Sequence, residues 1–220
     1  MSEPLGSHGS GLRERKKERT RQLIAERARE LFAERGFEAV PVAEVARAAE
    51  VSEQTVFNYF ATKEDLVFWR LGSFEEEMLA AVRDRAAGEP AVTAFRRFIM
   101  AQRGLLGRVD PDSQDQLVAM ARTIDESPAL RAREQQIFAR YTTALAALLA
   151  AEQDASPLDV EAQAAASAMI GVHRALVSYT RARVLEGARS PALAREVARA
   201  AERAFARLEA GWGDYAIKGE

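Results

Sequence analysis

The sequence predicts an all-α protein, and three observations carry the prediction. Nearly half of the 220 residues are hydrophobic, 48%, with alanine the dominant small residue and only 13 glycines, a balance that favours helices. Runs of β-branched residues are scarce, so no stretch reads as a buried strand. Apolar side chains recur three and four residues apart between breaks rich in Gly, Pro and Asp, which is the period of a helix with one buried face.

Composition also excludes. There is no cysteine, hence no disulfide, thiolate metal site or thiol nucleophile. With only His8 and His173, no phosphate loop and no metal-ligand spacing, the chain is expected to be no enzyme and to need neither metal nor cofactor. Its apolar runs fall far short of the roughly 20 residues of a membrane span. The opening MSEPLGSHGSG lacks the apolar centre of a signal peptide. The expectation is a soluble, cytoplasmic protein with no membrane partner. A net charge of −2 does not advertise nucleic acid, but the distribution of charge matters more.

Taken in order, residues 1–11 are Gly/Ser-rich and read as a disordered tail. A first helix spans about Arg13 to Arg35. Its lead-in, Arg13 to Arg21, holds six basic and two acidic side chains. Leu23, Ile24, Ala28, Leu31 and Phe32 form its apolar stripe, and Gly36 closes it. The next stretch, VAEVARAAEVSEQTVFNYF from Val42 to Phe60, reads as two short helices joined by a tight turn. Val42, Val45 and Ala46 share one face of the first, and Val51 sits in the turn. Val56 and Phe60 point inward from the second. Glu53 with Phe57, and Gln54 with Asn58, lie on its opposite face. Ser52 is placed to cap it. A helix of two turns is not stable alone; a helix-turn-helix supports one while leaving a polar face free.

A fourth helix opens near Lys63 with Thr62 as its cap and runs past Val82, with Val67, Leu71, Phe74, Met78 and Val82 at helical spacing. Gly88-Glu89-Pro90 breaks the chain. A fifth helix carries Val92, Phe95, Ile99 and Leu106, and a sixth Leu117, Met120, Ala121 and Ile124. Ser127-Pro128 starts a seventh with Pro in its first turn, followed by Ile137, Phe138, Tyr141, Leu145, Leu148 and Leu149. Asp154 to Pro157 breaks again. An eighth helix bears Ala162, Ala166, Met169, Ile170, His173, Leu176, Val177 and Val184. The ninth follows Ser190-Pro191 with Leu193, Val197, Ala200, Ala201, Ala204, Leu208 and Trp212. The expected boundaries are residues 1–11 as tail, 12–62 as a helix-turn-helix unit and 63–220 as a helical body.

The run LIAERARELFAERGFEAVPVAEVARAAEVSEQTVFNYFATKEDLV resembles the N-terminal DNA-binding domain of TetR-family transcriptional regulators. The likeness covers about Arg19 to Leu71. ELFAERGF, the helix-turn-helix and NYFATKEDL agree in order and spacing. The resemblance implies about nine helices, three in a head and six in a body. It implies a homodimer through the last two long helices, a small hydrophobic or amphipathic effector, and repression as the output. Two recognition helices must enter major grooves about 34–36 Å apart, so a two-fold dimer predicts a palindromic operator in double-stranded DNA. ESPALRAREQQIFARY, Glu126 to Tyr141, resembles the equivalent segment of TetR regulators with an acyl-coenzyme-A-like ligand domain.

For DNA, Gln54, Thr55, Phe57 and Asn58 are the expected base readers. Gln and Asn bond adenine bidentately, and Phe57 or the Thr55 methyl meets a thymine methyl. Tyr59 and Lys63 match family positions that hold phosphates. Ser52 opens the helix, and Arg13, Lys16 and Lys17 supply phosphate or minor-groove contacts. For the effector, the body offers Phe98, Met100, Arg103, Met120, Phe138, Tyr141, Met169 and His173, with Arg103, Tyr141 and His173 as its polar contacts. Any one of these apolar positions is more often plain core.

Three departures from the family pattern stand out. Glu50 replaces the usual turn Gly, and the recognition helix holds no Lys or Arg. Pro41-Val42-Ala43-Glu44 lacks the Ser/Thr that pairs with such a Glu. They leave open an alternative, a helical small-molecule-binding or scaffold protein without DNA binding.

Overall fold

The computed structural model describes residues 8–69, 71–101, 111–189 and 191–219, with side chains from residue 15 and, beyond the second interruption, from residue 115. The described residues form ten α-helices and no strand; one isolated bridge joins Pro90 and Ile217. The chain divides into two compact units, Met1–Trp69 and Arg70–Glu220.

The first unit contains α1 (His8–Arg35), α2 (Val42–Ala48), α3 (Glu53–Tyr59) and α4 (Asp65–Phe68). α1 packs on α2 and α4, and α2 on α3. Their apolar faces meet in a core of Ile24, Ala28, Phe32, Phe37, Val40, Val45, Val56, Phe60 and Leu66, with Phe32 edge-on to Phe37 at 5.0 Å. Gly36 at φ 80° ends α1, donating its N–H to Phe32 O at 2.9 Å. α2 ends in a Schellman motif. The Val51 N–H reaches back to Ala46 O at 2.9 Å and the Glu50 N–H to Arg47 O at 3.1 Å, which puts Glu50 at φ 55°. Before α4, Thr62 and Asp65 cap each other's backbone. The Thr62 N–H donates to Asp65 Oδ2 at 3.1 Å and the Asp65 N–H to Thr62 Oγ1 at 3.3 Å.

The second unit contains α5 (Leu71–Arg83), α6 (Ala91–Ala101), α7 (Pro111–Glu126), α8 (Pro128–Glu152), α9 (Val160–Leu185) and α10 (Ala192–Trp212). α9 is its centre and packs on α6, α7, α8 and α10. The α8–α9 contact buries Ala146, Ala150, Ala162, Ala165 and Ala166 beside Leu145, Leu149 and Met169, and such small side chains let two helices approach closely. A second apolar cluster, Ala121, Val184, Leu193 and Val197, joins α7, α9 and α10. Ser127 caps α8, accepting the Leu130 N–H at 3.2 Å, with Pro128 in its first turn.

Arg85 pins the segment after α5 to the end of the chain. Its buried guanidinium makes five hydrogen bonds, to both carboxylate oxygens of Glu152 (3.0 and 2.7 Å) and to Val82 O, Glu89 O and Ala216 O. Every N–H of the group is therefore satisfied. Gly88 N–H to Lys218 O, Lys218 N–H to Glu89 O and Ala91 N–H to Ala216 O zip the same two segments together.

Several expectations are corrected. α1 begins at His8, inside the expected tail, because the helix-favouring run Leu12–Arg19 propagates backward at little cost once nucleated. Leu23 is 39% exposed. At about 100° per residue, Ile24, Ala28, Phe32 and Ala25 share one arc and Leu23 lies about 100° outside it. The expected fourth helix is assigned as α4 and α5, with Arg70 between them outside the described residues, which raises the number from about nine to ten. The Lys63-Glu64 turn before α4 holds i to i−3 bonds instead of the α pattern, so α4 starts at Asp65. The first compact unit ends at Trp69. Leu106 and Arg103 lie outside the described residues, as does the side chain of Arg13.

Candidate DNA-binding and effector sites

α3 is built as a supported, outward-facing helix. Val56 and Phe60 are buried beneath it. Ser52 Oγ accepts the Thr55 N–H at 3.1 Å and lies 2.8 Å from Thr55 Oγ1, so the cap and the Thr55 hydroxyl are bound together and Thr55 is half-buried. Glu53, Gln54, Phe57 and Asn58 face solvent, and Phe57 is 46% exposed. Gln54 Nε2 donates to Asn58 Oδ1 at 3.1 Å, which leaves Gln54 Oε1 as acceptor and the Asn58 amide as donor. Tyr59 is half-buried and Ser52 exposed.

Lys63 is engaged inside the head. Its Nζ donates to Phe37 O at 2.6 Å and sits 4.2 Å from the centre of the Phe37 ring. Burial lowers its pKa. One ammonium proton is taken by that carbonyl, and two remain for other partners. Arg21 lies over the Phe60 ring at 5.7 Å, and its Nε is buried without a partner. Lys16, Lys17 and Arg19 are exposed along α1. Pro41, the residue before α2, makes no side-chain cap and has no N–H for Glu44 to accept; Glu44 pairs with Arg35 instead, which lowers the pKa of its carboxyl.

In the body, four of the expected effector residues meet in one place. Phe98 on α6, Phe138 and Tyr141 on α8 and His173 on α9 gather around Phe74 of α5. The Phe74 ring lies 4.8 Å from His173 in a stacked arrangement, 5.2 Å from Phe98 and 5.4 Å from Tyr141. Phe138 stands edge-on to His173 at 5.6 Å. Tyr141 OH donates to Leu71 O at 2.7 Å, and burial raises its pKa. His173 is 6% exposed, with Nδ1 buried and without a partner. Burial lowers its pKa to about 4, so the ring is neutral at ordinary pH. Met169 is buried and Met120 half-buried, while Met100 is exposed on α6. Phe74 had shown only the signature of a core stripe, since periodicity does not distinguish a ring that packs from one that faces a site.

Fold and site define a helix-turn-helix protein with a helical body. Residues 24–68 match the family described as bacterial regulatory proteins, TetR family. Over 151 residues the chain is 34% identical to the HTH-type transcriptional regulator TcmR of Streptomyces glaucescens, a match that takes in 66% of this chain and 66% of that protein. The chain thus spans just under two thirds of the length of that relative. The fold matches NalD, the secondary repressor of the MexAB-OprM multidrug efflux pump in Pseudomonas aeruginosa, with TM-score 0.56 and 20% identity over 86% of this chain and 96% of that one. It also matches FadR of Bacillus subtilis, solved in complex with stearoyl-CoA, with TM-score 0.51 and 18% identity over 86% and 98%. The chain belongs to the TetR family of bacterial regulatory proteins. Among the described residues no helix is long and apolar enough to cross a membrane, and no three His, Cys, Asp or Glu side chains are grouped to hold a metal ion.

Proposed function

We propose that this chain is a cytoplasmic, homodimeric repressor that binds a palindromic operator in double-stranded DNA and is released by a small lipophilic effector. The observation that carries the reading is α3, a helix capped by Ser52, anchored by Val56 and Phe60, and showing Gln54, Phe57 and Asn58 to solvent. Gln54, Thr55 through its methyl, Phe57 and Asn58 read bases. Ser52, Tyr59, Lys63, Lys16, Lys17 and Arg13 serve the backbone. α9 and α10 form the dimer interface. Its support is the run of small exposed residues on α9, Ala164, Ser167, Ala175, Ser178 and Ala182. The effector occupies the body near Phe98, Phe138, Tyr141 and His173. An effector that favours the DNA-free state shifts the population off the operator by its differential affinity.

The test is a gel shift with DNA from the flanks of the protein's own gene at two salt concentrations, followed by random-sequence selection if that DNA does not shift. A salt-sensitive shift that survives competitor DNA establishes the regulator. Failure of both experiments favours the ligand-binding or scaffold protein without DNA binding.

A further inference from the structure

We infer that the ring cluster of the body takes a planar aromatic effector bearing a hydroxyl group, stacked on His173 in the place now held by Phe74 and hydrogen-bonded to His173 Nδ1. The inference rests on the effector-regulated reading above and names the chemical class of its ligand.

The walls are rings from four helices, Phe74, Phe98, Phe138, Tyr141 and His173, with neighbouring centres 4.8–6.1 Å apart. Such walls favour offset-stacked and edge-on contact with another ring. A flexible acyl chain gains no quadrupolar contact from them. The polar groups narrow the class further. Tyr141 OH has given its proton to Leu71 O and can only accept. His173 Nδ1 is the buried side-chain atom of the cluster left without a hydrogen bond, and an unpaired polar atom at that depth is costly until something bonds it. Burial holds the imidazole neutral, so it offers a neutral ligand one hydrogen bond and offers a carboxylate no counter-charge.

Geometry assigns the place. Phe138, Tyr141 and His173 are buried, whereas Phe74 and Phe98 are half-buried. The movable wall is therefore the α5–α6 side. Phe74 lies on His173 with 25° between the ring planes, which is how a ligand ring would lie. Keeping both rings around an inserted one requires roughly 7 Å between them, two contact distances of about 3.5 Å, so the ligand replaces Phe74 against His173 or drives it outward. Phe74 stands on the first turn of α5, whose Leu71 carbonyl is held by Tyr141. Binding is thereby coupled to the start of the first helix of the body.

Equilibrium dialysis of the full chain against 2-naphthol, naphthalene and decanoate tests this. 2-Naphthol should bind about tenfold tighter than naphthalene, the worth of one hydrogen bond, and decanoate more weakly than either. His173→Phe keeps the ring and removes Nδ1, and should bring 2-naphthol and naphthalene within about twofold of each other. Phe74→Leu removes the competing ring and should tighten 2-naphthol severalfold, which guards against a His173 variant that fails to fold. Equal binding of the two naphthalenes by the unaltered chain, or preference for decanoate, overturns the inference. If decanoate binds and weakens the DNA complex, the effector-regulated reading stands and only the aromatic assignment falls. Loss of DNA binding altogether bears on that reading and not on the ring site.

Discussion

Glu50 carries a left-handed backbone, φ 55°, on a residue with a Cβ. That conformation costs an L-residue on the order of 1 kcal/mol, and glycine escapes the cost. Glu50→Gly should therefore raise stability by about 0.5–1 kcal/mol, read as a higher urea midpoint with an unchanged slope. Removing an acidic group beside the recognition helix should also tighten DNA binding at low salt. Asn58→Ala should lose about 1–3 kcal/mol on the operator and almost nothing on random DNA; equal losses on both would remove it from the base-reading set. His173 governs a pH dependence whose sign is fixed by its environment. Its folded pKa of about 4 lies below the unfolded 6.5, so the unfolded state binds the proton first. Stability is full above about pH 6.5 and falls as pH drops toward 4, by up to 1.36 kcal/mol per pH unit. Urea midpoints across that window should fall in the unaltered chain and flatten in His173→Phe.

At the scale of elements, the helix ends were the most legible part of the sequence. Ser52 and Thr62 accept backbone N–H groups where the sequence placed them as caps, and Ser127 caps the helix that Ser127-Pro128 was read to start, because a cap is a local arrangement of three or four residues. Ser52→Ala should cost about 1 kcal/mol and lower operator affinity more than stability, checked by unfolding and gel shift on the same preparation. The helix-turn-helix was legible for the same reason, with Val45, Ala46, Val56 and Phe60 buried as their spacing required. What was not legible depends on distant partners. Lys63 reads as a phosphate ligand, and nothing local reveals that its Nζ also donates to Phe37 O at 2.6 Å. Arg85 stands in no motif of the sequence. Its meaning comes from Glu152 and Ala216, which are far away in sequence. Leu23 was misread because five apolar residues near one face do not say how wide the buried strip is. The body residues Phe98, Phe138, Tyr141 and His173 were picked as types, and only the structure assembles them around Phe74.

At the scale of the whole molecule, the proposed dimer makes operator binding a two-handed event. Ala175 and Ala182 are exposed on α9, and a Glu at both should leave the fold intact while separating the protomers. Sedimentation should then show a monomer, and operator affinity should fall about 100-fold or more, the loss expected when a second contact is no longer tethered to the first. Arg85→Ala should cost about 3 kcal/mol, since it leaves half-buried Glu152 with only Lys218 at 3.5 Å and takes the donor from three carbonyls, and is read from the unfolding midpoint. The same clasp has a consequence for the lifetime of the protein. The carbonyl of Ala216 is an acceptor for a guanidinium sealed from water. Cleavage just before that residue would free the carbonyl, leave the cation short of an acceptor and loosen the body as a unit. A chain cut there would become a substrate for further proteolysis. The abundance of a regulator that acts at few sites would then hang on one backbone carbonyl, that of Ala216.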